Sequence, residues 1–82
     1  MNNYVMLIGK VLEKNKVGDK TTIKMQIDLT TTVEVIIPQQ VENLIEGTVG
    51  KLLGVAGYLI TSESGIEIVA RRFTYLESKG DD

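Results

Sequence analysis

The residues best suited to binding chemistry are five lysines near the start of the chain. Between residues 10 and 24 they are accompanied by only two acidic residues, whereas the whole chain carries a net charge of −2. Ammonium groups at this density can neutralise phosphates and release counterions. Lysines on a hairpin can equally serve only to prevent edge-to-edge aggregation. If they bind phosphate, the contacts would come from Lys14, Lys16 and Lys20 on a connection between two strands and from Lys24 on the outer face of the second strand.

Exposed aromatic rings are the second feature that could bind nucleic acid, because a base stacked on such a ring contributes about 1–3 kcal/mol. Tyr58 alternates with small and apolar neighbours and is predicted to point outward. Phe73 and Tyr75 share one side of the last strand, where we expect Phe73 to close the barrel or cover the helix. Tyr4 lies on the outer side of the first strand and is expected at a subunit interface.

Arg71 and Arg72 are adjacent on the last predicted strand. Because neighbours on a strand point to opposite faces, we expect only one of them to face solvent on the outer side. The other would lie at the barrel end or pair with a carboxylate such as Glu67 or Glu34. One phosphate contact and one structural ion pair fit this arrangement, and the sequence does not decide which arginine is which.

The sequence gives little support to catalysis. Histidine and cysteine are absent, which removes the commonest general base and metal ligand together with thiol nucleophiles. No glycine-rich loop that could cradle a phosphate is present. The acidic residues are scattered rather than paired: Glu13, Asp28, Glu34, Glu42, Glu46 and Glu67. We therefore expect a protein that is not an enzyme and that needs no cofactor or metal.

Alternation of apolar residues predicts five strands and one helix. The predicted strands cover residues 3–13, 21–29, 32–37, 52–62 and 66–77, and the inward sets of the second and third include Leu29 and Ile37. Pro38 ends the third strand and starts a helix of about two turns that Gly47 caps. This order is that of a five-stranded OB-fold barrel with one short helix between strands 3 and 4. We expect one OB-fold domain over residues 1–77 and a disordered polar tail over residues 78–82.

Three segments resemble the bacterial single-stranded DNA-binding protein family in the order of their strands. They are MNNYVMLIGKV at residues 1–11, VAGYLIT at residues 55–61 and IVARRFTYLE at residues 68–77. The compact primosomal replication protein of the same superfamily is a similar relative. The resemblance implies an OB-fold that binds single-stranded DNA without sequence preference. The positions that match the family's stacking platform on strand 3 hold Thr32 and Pro38, and the chain has no tryptophan.

The outer side of the first strand forms an apolar stripe that is too continuous to leave wet on a monomer. Its members are Tyr4, Met6, Ile8 and Leu12. Burial of this stripe by strand pairing with a second copy, in a homodimer or homotetramer, is what the resemblance implies. The alternative is that the C-terminal segment folds back over the stripe.

These features lead to two functional hypotheses. The first is a cytoplasmic, sequence-nonspecific single-stranded DNA-binding protein of DNA replication, repair or recombination, with contacts from the four lysines and Tyr58. The second is an OB-fold protein-interaction module that binds a replisome or primosome protein with little nucleic-acid binding. No apolar run approaches the ~18–20 residues of a membrane span, and we expect no membrane partner.

Overall fold

The computed structural model describes residues 3–63, 65–78 and 80. Five strands and one short helix succeed each other in the predicted order: β1 (Tyr4–Val17), β2 (Lys20–Gln26), β3 (Thr32–Ile37), a 3-10 helix (Gln39–Ile45), β4 (Leu52–Ser62) and β5 (Gly65–Tyr75). The bounds of β3 and β4 match the prediction. No helix within the described residues is long and apolar enough to cross a membrane.

The strands close into a barrel in the order β1-β2-β3-β5-β4. The first half of β1 pairs with β4 and its second half with β2, so this one strand joins both sides of the barrel. Strands β3 and β5 are parallel and pair over only three residues, from Glu34 to Ile36 on β3. The prediction of a five-stranded OB-fold barrel with a short helix between strands 3 and 4 is confirmed.

The core consists of the inward residues of all five strands. Alternation of side chains along each strand places one set inside, and its largest members on β1 to β4 are fully buried: Val11, Ile23, Met25, Val35, Leu53 and Val55. Ile45 of the 3-10 helix is also buried and closes one end of this cluster. Burial of such side chains stabilises a fold by about 1.5–3 kcal/mol each.

Two glycines allow the long strands to bend around this core. A Cβ atom at Gly9 would lie 2.6 Å from the backbone oxygen of Gln26, and a Cβ at Gly57 would overlap the backbone oxygen of Val69. A bulge lies near each glycine, one between Val11 and Glu13 on β1 and one on β5 opposite Gly57. Bulges bend a strand and change which face the residues beyond them occupy.

The structure corrects two local predictions and specifies the type of the predicted helix. Strand β1 continues to Val17, and a two-residue turn in which Gly18 has φ +62° then leads into β2. The residues expected in a loop are therefore part of a β1–β2 hairpin. Strand β2 ends at Gln26, and the predicted inward Leu29 is 94% exposed because the Asp28 side chain caps a turn in the loop after β2. The helix is of the 3-10 type, with a bond from the N–H of Val41 to the carbonyl of Pro38.

The end of the chain lies partly outside the described residues. Strand β5 ends at Tyr75, two residues earlier than predicted. Within the expected tail the structure describes Ser78 and Gly80, and the N–H of Gly80 donates to the carbonyl of Gly47 over 2.7 Å. Gly47 has φ +73°, as predicted for a helix cap, and this contact places Gly80 against the turn after the helix.

Candidate nucleic-acid interface

Two tyrosines and one arginine meet on the outer surface of the barrel. Tyr4 on β1 pairs directly with Tyr58 on β4, and their rings pack edge to face with centroids 5.1 Å apart. The guanidinium carbon of Arg71 lies 5.8 Å from the centroid of Tyr58. Edge-to-face packing and cation–π contact each stabilise such a group by about 0.5–1.5 kcal/mol. We call these three residues the aromatic end.

The aromatic end begins a row of paired residues that crosses all five strands. Tyr4, Tyr58, Val69, Ile36 and Thr22 are successive cross-strand partners on β1, β4, β5, β3 and β2. All five are at least partly exposed, so the row lies on the outer surface. At about 4.8 Å between strands, the row covers about 19 Å measured around the barrel. We call this row the strip.

Lys20 and Lys24 flank the β2 end of this strip, but glutamates compensate their charges. The Nζ of Lys20 lies 3.7 Å from a carboxylate oxygen of Glu67, an ion pair that spans β3. Lys24 is the cross-strand partner of both Glu13 and Glu34. An exposed ion pair such as that of Lys20 with Glu67 contributes about 0–1 kcal/mol, so a phosphate can replace the glutamate at Lys20.

Lys14 and Lys16 lie elsewhere, because the β1 bulge reverses the alternation of faces. They pair with the buried residues Ile23 and Thr21 and extend along the side of the hairpin that faces the helix. The Nζ of Lys16 lies 3.2 Å from the carboxylate of Glu42, and this hydrogen bond lowers the pKa of Glu42 below its usual value. The structure therefore separates the four predicted lysines into two pairs, and the expectation that three of them occupy a loop is wrong.

Both arginines are exposed on the outer side, contrary to the expectation that only one would be. The cause is the bulge between β4 and β5, where Ala56 pairs with Arg72 and Gly57 pairs with Ala70. Arg71 is the extra residue, so the strict alternation on which the prediction depended does not hold here. Neither arginine forms an ion pair within the described residues.

The apolar stripe of β1 is exposed in the single chain. Met6 is 67% and Ile8 57% exposed, and both line a cavity of about 300 Å³ beside Arg72. Leu12 is the extra residue of the β1 bulge, and Tyr4 packs against Tyr58 of the same chain. Leu76 also lines this cavity, yet the described residues after β5 leave Met6 and Ile8 uncovered.

The described residues contain no group of three or more acidic side chains placed to hold a metal ion. Asp28 has its pKa lowered mainly by the N–H of Thr30, which donates to its carboxylate, and this bond shapes the loop between β2 and β3. Arg71 and Arg72 are candidate binding residues, and their shared placement on the outer side was not expected from the sequence. The glycine at position 57 was the available signal of the bulge that brings them together.

Comparison with known proteins supports the fold and leaves the family open. No protein-family model matches the chain, and no curated protein matches its sequence. Among solved structures, a chain of the S. pombe Stn1-ten1 complex superimposes with a TM-score of 0.80 and 16% identity. The match covers 92% of this chain and 59% of that one.

Two further structures contain the same barrel in different settings. Asparaginyl-tRNA synthetase from Pyrococcus horikoshii, complexed with asparaginyl-adenylate, matches at a TM-score of 0.81 and 19% identity, over 96% of this chain and 20% of the synthetase. The OBody AM1L10, bound to hen egg-white lysozyme, matches at a TM-score of 0.81 and 18% identity, over 94% of this chain and 81% of its own. The chain thus has the OB-fold, and it spans only part of the first two proteins.

Proposed function

We propose that this chain is a non-catalytic OB-fold protein that binds single-stranded nucleic acid, DNA in particular, without sequence preference. The observation that carries the proposal is the aromatic end, where Tyr4 and Tyr58 are each about two-fifths exposed and Arg71 lies over the Tyr58 ring. Aromatic rings and guanidinium planes are the groups on which unpaired bases stack. Work in DNA replication, repair or recombination fits such a binder.

Aromatic rings and charged side chains contribute to binding at different places along the strip. Bases stack at Tyr58 and Tyr4, while the backbone phosphates approach Arg71 and then Lys20 and Lys24. Because rings accept every base, the interaction is tolerant of sequence. Three or four neutralised phosphates would give a salt slope of about −2 to −3 for a single strand. The glutamates beside both lysines predict that affinity is modest.

We further propose that two copies of the chain associate through the apolar stripe on β1. Met6 and Ile8 are too exposed to suit an isolated surface. On one edge, β1 pairs with β4 from residue 4 to residue 10, while β2 joins its other edge only from residue 10 onward. The first half of β1 therefore presents one edge that no described strand covers. Pairing of two copies along this edge would double the binding strip in a dimer, or in a tetramer built from it.

Binding of oligo-dT followed by fluorescence anisotropy tests the proposal, with duplex DNA of the same length as the competitor. We expect saturable, salt-sensitive binding that prefers the single strand. Two matched double variants, each with two charge reversals, locate the phosphate contacts. One combines Lys20→Glu with Lys24→Glu on the strip, and the other combines Lys14→Glu with Lys16→Glu beside the helix. The first pair should weaken binding at least about tenfold more than the second, since only its lysines flank the row.

Equal losses in the two double variants would show that the strip is not the phosphate path and that general charge governs binding. A larger loss from the pair at positions 14 and 16 would restore the hairpin lysines as the main contacts. Absence of binding at low salt by the folded wild-type protein would contradict the proposed function itself.

A protein-interaction module is the second candidate, and the cavity beside Arg72 favours it. Met6 and Ile8 line this cavity together with Arg72, which forms no ion pair within the described residues. Such a lining suits a partner segment with apolar and acidic residues. A replication protein that accompanies single-stranded DNA is the partner expected for such a surface. If oligo-dT does not bind while light scattering shows a clean dimer, this candidate becomes the better description.

A further inference from the structure

The ladder between β3 and β5 ends early, and a cleft opens where it ends. The two strands pair from Glu34 with Glu67 to Ile36 with Val69 and no further. Pro38 comes directly after β3, and it has no N–H group with which to extend the ladder. The chain turns there into the 3-10 helix. Within the described part of the chain, no strand pairs with β5 on this side beyond Val69.

The cleft is lined by both apolar and polar residues. Its volume is about 270 Å³, and it is lined by Pro38, Val41 and Ala70 together with Gln40 and Arg71. Gln40 is exposed, and its side-chain amide forms no hydrogen bond to the other described residues. A cleft with apolar residues and one amide in its lining can accept a planar ring whose polar atoms lie on its perimeter.

The cleft is continuous with the aromatic end through Arg71. This side chain lines the cleft, and its guanidinium carbon is also 5.8 Å from the centre of the Tyr58 ring. Arg71 thus borders both Tyr58 and the cleft. When one base stacks at Tyr58, the neighbouring base in the strand comes within reach of the cleft.

We propose that this cleft binds one nucleobase and that Gln40 pairs with the polar edge of that base. An amide supplies both a donor and an acceptor, which is what a bidentate contact with a base edge requires. This inference rests on the proposed function and deepens it, because it adds a base preference at one position of a surface that is otherwise tolerant. Gln40 would determine specificity, and the rings and charged groups would supply most of the affinity.

Titration of the isotope-labelled full chain with each of the four deoxyribonucleoside monophosphates tests the cleft directly by NMR. We expect saturable shifts of the Gln40 side-chain amide and of the backbone amides of Val41 and Ala70. Affinity should differ between bases by about five- to tenfold, the lower part of the range for one amide contact. The variant Gln40→Ala should reduce this difference to less than about twofold. The matched control is Gln39→Ala, which removes an exposed glutamine that does not line the cleft and should keep the difference.

Two results would overturn the inference: absence of shifts at these three residues, or an unchanged base preference in Gln40→Ala. Oligo-dT anisotropy on the same samples separates this failure from failure of the proposed function. Oligo-dT binding without mononucleotide shifts at the cleft contradicts the cleft alone. Shifts at the cleft without oligo-dT binding contradict the extended strip and leave the cleft as a nucleotide site.

Discussion

The two ends of the strip are built from different interactions. At the aromatic end, Tyr4 and Tyr58 hold each other by ring packing, and Arg71 has no acidic partner among the described residues. At the β2 end, Lys20 and Lys24 each lie beside glutamates of neighbouring strands. The number of charged side chains at each end therefore does not show how readily that end can bind a ligand. The Arg71 guanidinium has no carboxylate to displace among the described residues, whereas Lys20 must exchange the Glu67 carboxylate for a phosphate.

The two ends of the strip are expected to contribute differently to the binding affinity. Exposed ion pairs contribute only about 0–1 kcal/mol, so we expect a phosphate contact at an exposed lysine to add little to the affinity. A base stacked on a tyrosine ring is expected to contribute about 1–3 kcal/mol. We therefore expect the aromatic end to determine most of the affinity, and the lysines to determine mainly how that affinity depends on salt.

The largest expected effect comes from the bulge that creates the aromatic end. Gly57→Ala places a methyl group against the backbone oxygen of Val69, which cannot move aside, so the free energy of unfolding should fall by about 2–3 kcal/mol. The matched control on the same strand is Gly54→Ala, whose new methyl would meet Thr74 at 3.3 Å and should cost less than about 1 kcal/mol. Urea denaturation measures both, and equal losses would show that close packing at the bulge is unimportant.

Removal of the central ring comes next. Tyr58→Ala should weaken oligo-dT binding by about five- to 100-fold, the loss of one stacked base, while the slope against salt stays the same. Tyr75→Phe is the control, because it deletes a hydroxyl that donates to the carbonyl of Leu44 and lies off the strip. Anisotropy at several salt concentrations measures both variants. A change in slope without loss of affinity would mean that Tyr58 is not a stacking residue.

The smallest expected effect concerns the lysines that the structure moves off the strip. The hydrogen bond from Lys16 lowers the pKa of Glu42 in the folded chain. The ionised Glu42 therefore makes its full contribution to stability above the usual pKa of 4.5, and this contribution is lost as the pH falls through the lowered pKa. Glu42→Gln should flatten this part of the curve of stability against pH, measured by urea denaturation. Glu46→Gln, one residue past the helix, should not. Oligo-dT binding near neutral pH should be unchanged in Glu42→Gln, since Lys16 lies beside the helix.

Most of the fold can be predicted from local patterns in the sequence. Alternation along residues 32–37 and 52–62 was sufficient to give the bounds of two strands, and Pro38 marked the start of the helix. The order of elements then restricted the architecture to one barrel. The end of β2 was misjudged because Leu29 continues the apolar alternation, while the turn formed by the Asp28 carboxylate takes it into solvent.

The candidate binding surface was harder to foresee, because it depends on two bulges. Each bulge inserts one residue, Leu12 on β1 and Arg71 on β5, and reverses the parity of the residues beyond it. The expected loop after residue 13 therefore grouped lysines that lie on two faces, and strict alternation separated arginines that lie on one. The pairing of Tyr4 with Tyr58 also needs the register between β1 and β4, which residue spacing within one strand cannot supply.

NMR titration of the folded chain with oligo-dT, in which the shifts of the amide signals map the binding site, tests the assignment of binding to the strip most directly. We predict that the largest shifts run along the row from Tyr4 and Tyr58 through Val69 and Ile36 to Thr22, and that they diminish with added salt. Amides of residues 14–16 should change little. Shifts concentrated at residues 14–16, or spread evenly over the barrel, would contradict this assignment.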